Sequence, residues 1–186
     1  MKTRIFLLMA ITMLVSGMNV QAQSSAGKKI LVAYFSQSGN TQEIANQIKN
    51  VTGADVFVIQ PAIAYPSDYQ TLVDQAKKEV NAGYKPALKE KADNIGSYDV
   101  IFVGSPNWWS TIAPPVATFL SQNDFSGKTI VPFITHEGSR MGRSVTDIKK
   151  LCPNSTILEG LPVRGSSVKS AQKDVDKWLK EIGVVK

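Results

Sequence analysis

The stretch K-I-L-V-A-Y-F-S-Q-S-G-N-T, residues 29–41, decides the fold. Its first half is a run of apolar residues that is typical of a buried strand. Its second half is rich in hydroxyl side chains, contains Gly39 and leads into a helical pattern. A strand that passes into a helix through such a turn directs several backbone N–H groups and the positive end of the helix dipole at one point. The stretch therefore predicts a loop that binds phosphate.

The composition of this loop indicates which kind of phosphate it takes. It has neither the Gly-x-Gly-x-x-Gly spacing of a dinucleotide site nor the Gly-Lys-Ser/Thr of a Walker loop. Residues 36–41 read S-Q-S-G-N-T, a cup of small hydrogen-bonding side chains without a cation, which suits a terminal monophosphate. The alternative is an ordinary helix cap at Ser38 or Asn40, but two hydroxyl residues and a glycine exceed what a cap requires.

Residues 1–22 are expected to be a secretory signal peptide. A short basic region is followed by an apolar run over 5–18 and a small-residue cleavage site that ends at Ala22. Because the run is shorter than the roughly 20 residues of a membrane span, cleavage is favoured over an uncleaved anchor. We therefore expect an exported, periplasmic protein that uses the general (Sec-type) route and keeps no membrane span after cleavage.

Charge and cysteine content exclude several classes of function. The formal net charge of +6 becomes +4 when Lys2 and Arg4 are lost with the signal peptide. No basic run accompanies this mild bias, so nucleic-acid binding is not expected. One His and one Cys argue against a structural zinc site or any other metal centre. Cys152, just before Pro153, is interpreted as a buried packing residue rather than a redox thiol.

Strand and helix patterns alternate five times along the rest of the chain. Strands are predicted over 29–35, 54–59, 98–103, 129–135 and 155–158, and helices from about 40, from Asp68 to near Gly83, from Pro114, over 143–150 and near the C-terminus. Apolar strands with crossover helices predict a parallel sheet covered on both faces. After a flexible segment at 23–28, residues 29–186 should therefore form one α/β domain.

Three of the predicted strands end in loops that could share a site. Ligands of doubly wound sheets bind beyond the carboxyl ends of the strands. Residues 36–41 offer phosphate donors, residues 104–110 offer flat aromatic surface, and residues 135–140 offer small polar and glycine positions. A planar heteroaromatic molecule with a phosphate tail would contact all three loops.

The motifs at these positions resemble those of the flavodoxin family, and more closely those of a bacterial flavodoxin-like branch. They are S-Q-S-G-N-T at 36–41, Y-P-S-D-Y at 65–69, P-N-W-W at 106–109 and T-H-E-G-S at 135–139. The four motifs occur in family order, and the resemblance covers essentially all of 29–182. It implies a flavodoxin-like three-layer α/β sandwich with a five-stranded parallel sheet in the order 2-1-3-4-5, and FMN as cofactor.

The resemblance also implies a set of residues around FMN. The phosphate would be held by the loop at 36–41 and its N–H groups, and the isoalloxazine ring would lie between 107–109 and 135–139. At least one tryptophan is expected to contact the ring, although both could belong to the core. The implied cofactor-binding residues are Ser36, Gln37, Ser38, Gly39, Asn40, Thr41, Pro106, Asn107, Trp108, Trp109, Thr135, His136, Glu137, Gly138 and Ser139.

His136 is the candidate catalytic residue, with two interpretations. It could donate a proton or hydrogen bond at the flavin edge, or it could only brace its loop. Glu137, Arg140 and Arg143 border the same place and could equally be solvated. A cation near the flavin pyrimidine would stabilise the negatively charged reduced ring, so both arginines are of interest.

The resemblance predicts an FMN-binding redox protein that exchanges electrons with a partner protein or a small acceptor. Alternatives are an NAD(P)H- or quinone-linked FMN oxidoreductase and a non-redox flavin binder. Electron-shuttling flavodoxins are typically acidic, whereas this basic chain would attract acidic or anionic partners. Export makes a supply of nicotinamide cofactor difficult to explain. A receiver-type signalling module is excluded, because residues 35–37 and 104–106 lack the acidic residues that it needs.

Overall fold

Strands and helices alternate along residues 27–186, the part of the chain that the computed structural model describes. The expected signal peptide at 1–22, and residues 23–26 of the expected N-terminal segment, lie outside this range. The strands are β1 (Ile30–Tyr34), β2 (Asp55–Val58), β3 (Val100–Trp108), β4 (Thr111–Ile112), β5 (Thr129–His136), β6 (Thr156–Ile157) and β7 (Leu161–Arg164). The α-helices are α1 (Asn40–Thr52), α2 (Tyr69–Ala82), α3 (Pro114–Gln122), α4 (Ser144–Leu151) and α5 (Gln172–Glu181).

The sheet confirms the predicted fold class but has more strands than predicted. Its main path runs β2-β1-β3-β5-β6 with parallel pairing throughout. β7 also pairs with β5 in parallel, and β4 forms an antiparallel hairpin with β3. The sheet therefore has seven strands rather than five. The predicted order 2-1-3-4-5 describes it only when β4 is left out and β6 and β7 are counted as one position.

The predicted fifth strand at 155–158 is corrected to two short strands. β6 contains only Thr156–Ile157, and β7 begins at Leu161 after a break that contains Gly160. The break lies opposite Pro132, which sits between the β5 residues that pair with β6 and those that pair with β7. Proline has no N–H to donate to a neighbouring strand. A Cβ on Gly160 would lie 2.9 Å from the Pro132 carbonyl oxygen, so glycine permits the close approach at the break.

The predicted end of the third strand at Val103 is also corrected. β3 continues to Trp108 because Gly104, Ser105 and Pro106 pair in register with the last residues of β5. The Phe133 ring packs directly against Gly104, and a Cβ at this position would overlap the ring. Gly104, which was predicted to end the strand, therefore makes room for an aromatic side chain. The longer strand includes Asn107 and Trp108 and places them at the carboxyl edge of the sheet.

Side chains that alternate along the strands form two apolar cores, one on each face of the sheet. On one face Ile101 and Ile134 pack with Phe119 of α3 and Ile148 of α4. On the other face Phe102 and Phe133 pack with α1 and α5. The period of two residues sends neighbouring side chains to opposite faces. The layers leave the carboxyl ends of the parallel strands at one open edge.

Two helices differ in part from their predicted apolar faces. On α1, Ile44, Ala45 and Ile48 are buried as predicted, whereas Val51 in the last turn is exposed. On α2, only Ala76 is fully buried, although the predicted Asp68 cap and Gly83 end are both found. Within residues 27–186, no helix is long and apolar enough to span a membrane.

Candidate functional site

The loop between β1 and α1 presents unpaired N–H groups at the carboxyl edge of the sheet. Gly39 occupies the N-cap position of α1 with φ 89°, a conformation that glycine adopts without strain. The Ser36 hydroxyl accepts the Gly39 N–H at 3.1 Å and so braces the turn. In the described part of the chain no side chain caps α1, and the N–H groups of residues 40–42 have no acceptor. Neither Ser38 nor Asn40 therefore acts as a side-chain cap, and these N–H groups are free for an anion.

Side-chain hydrogen bonds tie the three predicted loops together. The Thr41 and Thr135 hydroxyls, both buried, lie 2.8 Å apart and join the first loop to the third. Asn107 Nδ2 donates to the Arg140 carbonyl oxygen at 2.8 Å and joins the second loop to the third. The structure therefore brings together the three loops that the sequence assigned to one site.

Trp108 packs inward. Its ring meets Phe35 edge-on at 5.4 Å and Tyr65 edge-on at 4.9 Å between ring centroids. Tyr65 in turn donates from its hydroxyl to Glu79 of α2, and its half-buried position raises its pKa. Gln37 Nε2 lies 3.4 Å from the Pro66 carbonyl oxygen, next to Tyr65. The aromatic residues of two motifs thus form one half-buried cluster beneath the edge.

Trp109 lies on the outside. Its side chain is 43% exposed and rests on α2, where Nε1 donates to the Val73 carbonyl oxygen at 3.2 Å. The Lys77 ammonium lies 4.8 Å from the centre of the same ring, within reach of a cation–π interaction. The two adjacent tryptophans therefore point in different directions, and Trp109 supplies the accessible aromatic surface.

The turn that presents Trp109 is strained and firmly held. Trp109 and Ser110 have φ values of 51° and 67°, as the two central residues of a type I′ hairpin turn require. Non-glycine residues adopt this conformation at a cost. The turn is secured by the Arg143 N–H, which donates to the Ser110 carbonyl oxygen at 2.7 Å. The Thr111 hydroxyl adds a 2.7 Å bond to Asp147 of α4.

His136 is the last residue of β5, and its ring nitrogen Nδ1 is available for a hydrogen bond. Its Nδ1 is buried and has no hydrogen-bond partner among the described residues. Burial lowers the pKa of His136, and the nearby Arg140 and Arg164 lower it further, while Glu137 opposes them. The imidazole is therefore held towards its neutral form. A buried polar atom without a partner is rare and calls for an explanation, which a ligand bound at this edge would supply.

The sequence patterns did not predict that Arg164 and Gly165 lie at this edge. Arg164 pairs in register with His136, and Gly165 follows it. A Cβ on Gly165 would overlap the Glu137 carboxylate and lie 2.6 Å from Asn40 Nδ2, so the loop after β7 touches the first and third loops. The signal that could have revealed them is L-P-V-R at 161–164, bounded by glycines at 160 and 165.

The remaining candidates differ in exposure and in the contacts they make. Arg143 pairs with Asp147 at 2.9 Å and is committed to α4. Ser38, Glu137, Gly138 and Ser139 are exposed, and Pro106 is half-buried. Cys152 is buried at the end of α4, and burial raises its pKa to about 11, which agrees with a packing residue.

Comparison with known proteins identifies the family. A family model described as flavodoxin matches residues 29–182. The chain belongs to the flavodoxin family. A candidate flavoprotein from Bacteroides eggerthii is 37% identical over 86% of this chain and 100% of that one, with a TM-score of 0.75. A second, from Bacteroides uniformis, is 30% identical over 83% and 99%, with a TM-score of 0.74.

A third solved structure, a flavoprotein in complex with FMN from Lactobacillus acidophilus, shares the fold. It is 23% identical over 82% of this chain and 99% of that one, with a TM-score of 0.65. In this flavodoxin-family protein the carboxyl edge combines an exposed tryptophan with helical N–H groups and an imidazole nitrogen that have no partner among residues 27–186. These groups can bind an anion, support a flat ring and form a hydrogen bond to a ring edge.

Proposed function

We propose that this protein binds FMN non-covalently and uses it to transfer electrons to or from a protein partner or a small acceptor. The observation that carries the proposal is the N-terminus of α1, whose first N–H groups have no acceptor among the described residues. It lies at the carboxyl end of β1 and is joined by the Thr41–Thr135 hydrogen bond to the loop of His136, whose Nδ1 also lacks a described partner. Family membership supports the same cofactor.

The phosphate of FMN would bind at the first loop. Ser36, Ser38, Asn40 and Thr41 provide side-chain donors, and the N–H groups of residues 40–42 are free to add to them. The positive end of the helix dipole favours a negative charge there. The loop itself contains no cation, so backbone and hydroxyl donors would do most of the binding.

The flavin ring would lie against the second and third loops. Trp109 offers an exposed aromatic face, and residues 135–139 offer the ring edge a backbone with few bulky side chains. His136 is proposed to hydrogen-bond to that edge through Nδ1, which lacks another partner among the described residues. Bound FMN supplies one- and two-electron chemistry, and the protein's part is to position it and set its electrostatic surroundings.

The partner is proposed to be acidic or anionic. The formal net charge is +4 without residues 1–22, and Lys77, Arg140 and Arg164 are exposed around the edge. Such a surface accelerates the approach of negatively charged molecules. Export to the periplasm remains part of the proposal and rests on the sequence of residues 1–22.

The first test compares FMN with riboflavin, which lacks the phosphate. The purified protein should bind one FMN, and riboflavin should bind about 100-fold more weakly because it leaves the N–H groups of α1 unpaired. Ser38→Ala and Asn40→Ala should reduce this difference. Ser126→Ala, at an exposed serine far from the edge, should leave it unchanged. A folded protein that binds no FMN would rule the proposal out.

The second test is stepwise anaerobic reduction of the FMN-loaded protein while the visible spectrum is recorded. Reduction in separate one-electron steps would favour an electron carrier. Direct two-electron reduction, with turnover of a quinone or NAD(P)H, would favour an oxidoreductase. Bound FMN that exchanges electrons with no donor or acceptor would leave a non-redox flavin binder and exclude the redox role.

A further inference from the structure

A cleft opens on the α4 side of the sheet, next to the third loop of the site. Its volume is about 510 Å³. Met141 and Val145 form one wall, and Leu158 and Pro162 form the other. Clefts of this size, with apolar walls and a small number of polar groups, are typical sites for small molecules. Residues 140–142 line the cleft, whereas the proposed flavin contacts in this loop come from residues 135–139.

Cationic groups gather at one end of this cleft. Arg140 lines it directly. Arg164 follows Pro162 by two residues in β7, so both side chains lie on the same face of the sheet. Arg164 also pairs in register with His136. Burial is the largest cause of the lowered pKa of His136, and both arginines lower it further. Within residues 27–186, no carboxylate forms an ion pair with either arginine.

The acidic groups nearby do not neutralise this end. Glu137 belongs to the other face of the sheet, where its carboxylate approaches Gly165 and Asn40. Glu159 borders the cleft, and its carbonyl oxygen accepts the Trp178 Nε1–H at 3.0 Å. Glu159 is the one acidic residue that lines the cleft in the described part of the chain. The formal charges of Arg140 and the adjacent Arg164 therefore outnumber it, and this end has a net positive charge.

We propose that this cleft binds a small organic anion with an apolar body and one acidic group. The body would pack between Met141, Val145 and Pro162, which removes apolar surface from water. The acidic group would bind Arg140 and Arg164, because guanidinium groups form paired, charge-assisted hydrogen bonds to carboxylates. This site goes beyond the proposed redox function and does not require FMN.

The test uses benzoate as the probe and benzamide, its uncharged analogue of similar shape, as the control. The chain contains one histidine, so the imidazole signals of His136 can be followed by NMR without ambiguity. In the purified protein without FMN, benzoate should bind saturably and raise the pKa of His136, because it offsets the two arginines. Benzamide should do neither.

Variants then locate the site. Arg140→Gln and Arg164→Gln should each weaken benzoate binding about tenfold or more, whereas Lys173→Gln, at an exposed lysine of α5, should not. Val145→Phe should fill the cleft and abolish binding while the arginines remain. Equal effects of benzoate and benzamide, arginine variants that bind as well as the unchanged protein, or competition between benzoate and FMN would overturn the proposal. Failure of FMN binding alone would leave it intact.

Discussion

Two buried threonine hydroxyls determine how firmly the first and third loops are joined. Thr41 and Thr135 hydrogen-bond at 2.8 Å, and each is almost fully buried. Thr41→Val should lower the free energy of unfolding by about 1–3 kcal/mol, because it leaves the Thr135 hydroxyl buried without its partner. Urea unfolding of the FMN-free protein measures this loss. Thr146→Val, at an exposed position on α4, should change the stability by less than about 0.5 kcal/mol.

A double-mutant cycle separates this bond from general packing. Thr135→Val should cost about as much as Thr41→Val, for the same reason. The variant with both changes should lose clearly less than the two single losses combined, because no hydroxyl is then left buried and unpaired. Strictly additive losses would show that the two hydroxyls do not stabilise each other.

Gly104 is needed for space rather than for flexibility. A Cβ there would overlap the Phe133 ring and lie 2.8 Å from Tyr34 Cβ. Gly104→Ala should therefore lower the free energy of unfolding by about 1–3 kcal/mol, the usual cost of overpacking a core, and thermal or urea unfolding measures it. Gly96→Ala, where a Cβ meets nothing within 4 Å, is the matched control. Adding Phe133→Leu should restore part of the loss, and a failure to do so would contradict the steric explanation.

At the scale of the element, the β3–β4 hairpin contains removable strain. Ser110 has φ 67°, a conformation that costs a non-glycine residue about 1–3 kcal/mol. Ser110→Gly relieves this strain, but it also raises the conformational entropy of the unfolded chain, which lowers the free energy of unfolding by about 0.4–1 kcal/mol. The first effect is larger, so the free energy of unfolding should rise by up to about 2 kcal/mol, which urea unfolding measures. Ser110→Ala relieves no strain and should give no gain; equal gains in both variants would exclude strain as the cause.

The helix ends show how much of an element local sequence can specify. Asp68 was predicted to begin α2, and its carboxylate accepts the Thr71 N–H at 2.8 Å. Gly83 was predicted to end the same helix and does so in the left-handed conformation. Pro114 begins α3, as its tolerance in a first turn indicates. These features depend on residues within a few positions of each other, so the sequence reveals them.

The strand ends depend on residues that are distant in sequence, and there prediction failed. β3 extends past Gly104 because β5 continues beside it, and β7 exists because it pairs with the last four residues of β5. β7 is four residues long and contains a proline, so its signal in the sequence is weak. Arg164 was therefore missed as a neighbour of His136, although the three loops of the site were predicted in the right places.

For the molecule as a whole, the fold gives His136 surroundings that the sequence does not reveal. Three charged residues face the imidazole: Glu137 and Arg140 from the loop after β5, and Arg164 from β7. The sequence motif at 135–140 already placed Glu137 and Arg140 near the histidine. Only the pairing of β7 with β5 brings the third, and with it a second positive charge. The balance of these charges, together with burial, makes stability depend on pH.

Stability should fall as the pH is lowered through the range in which His136 titrates. Burial first, and then Arg140, hold the pKa of His136 below its ordinary value of 6.5. Between the folded and unfolded pKa values the unfolded chain binds more protons, so the free energy of unfolding decreases as the pH falls from above 6.5 to below the folded pKa. Urea unfolding of the FMN-free protein between about pH 7 and 5 measures this decrease, and His136→Gln should remove it. The lowered pKa values of Asp68 and Asp124 act in a separate window below 3.8. An unchanged pH dependence in His136→Gln would show that other groups cause the decrease.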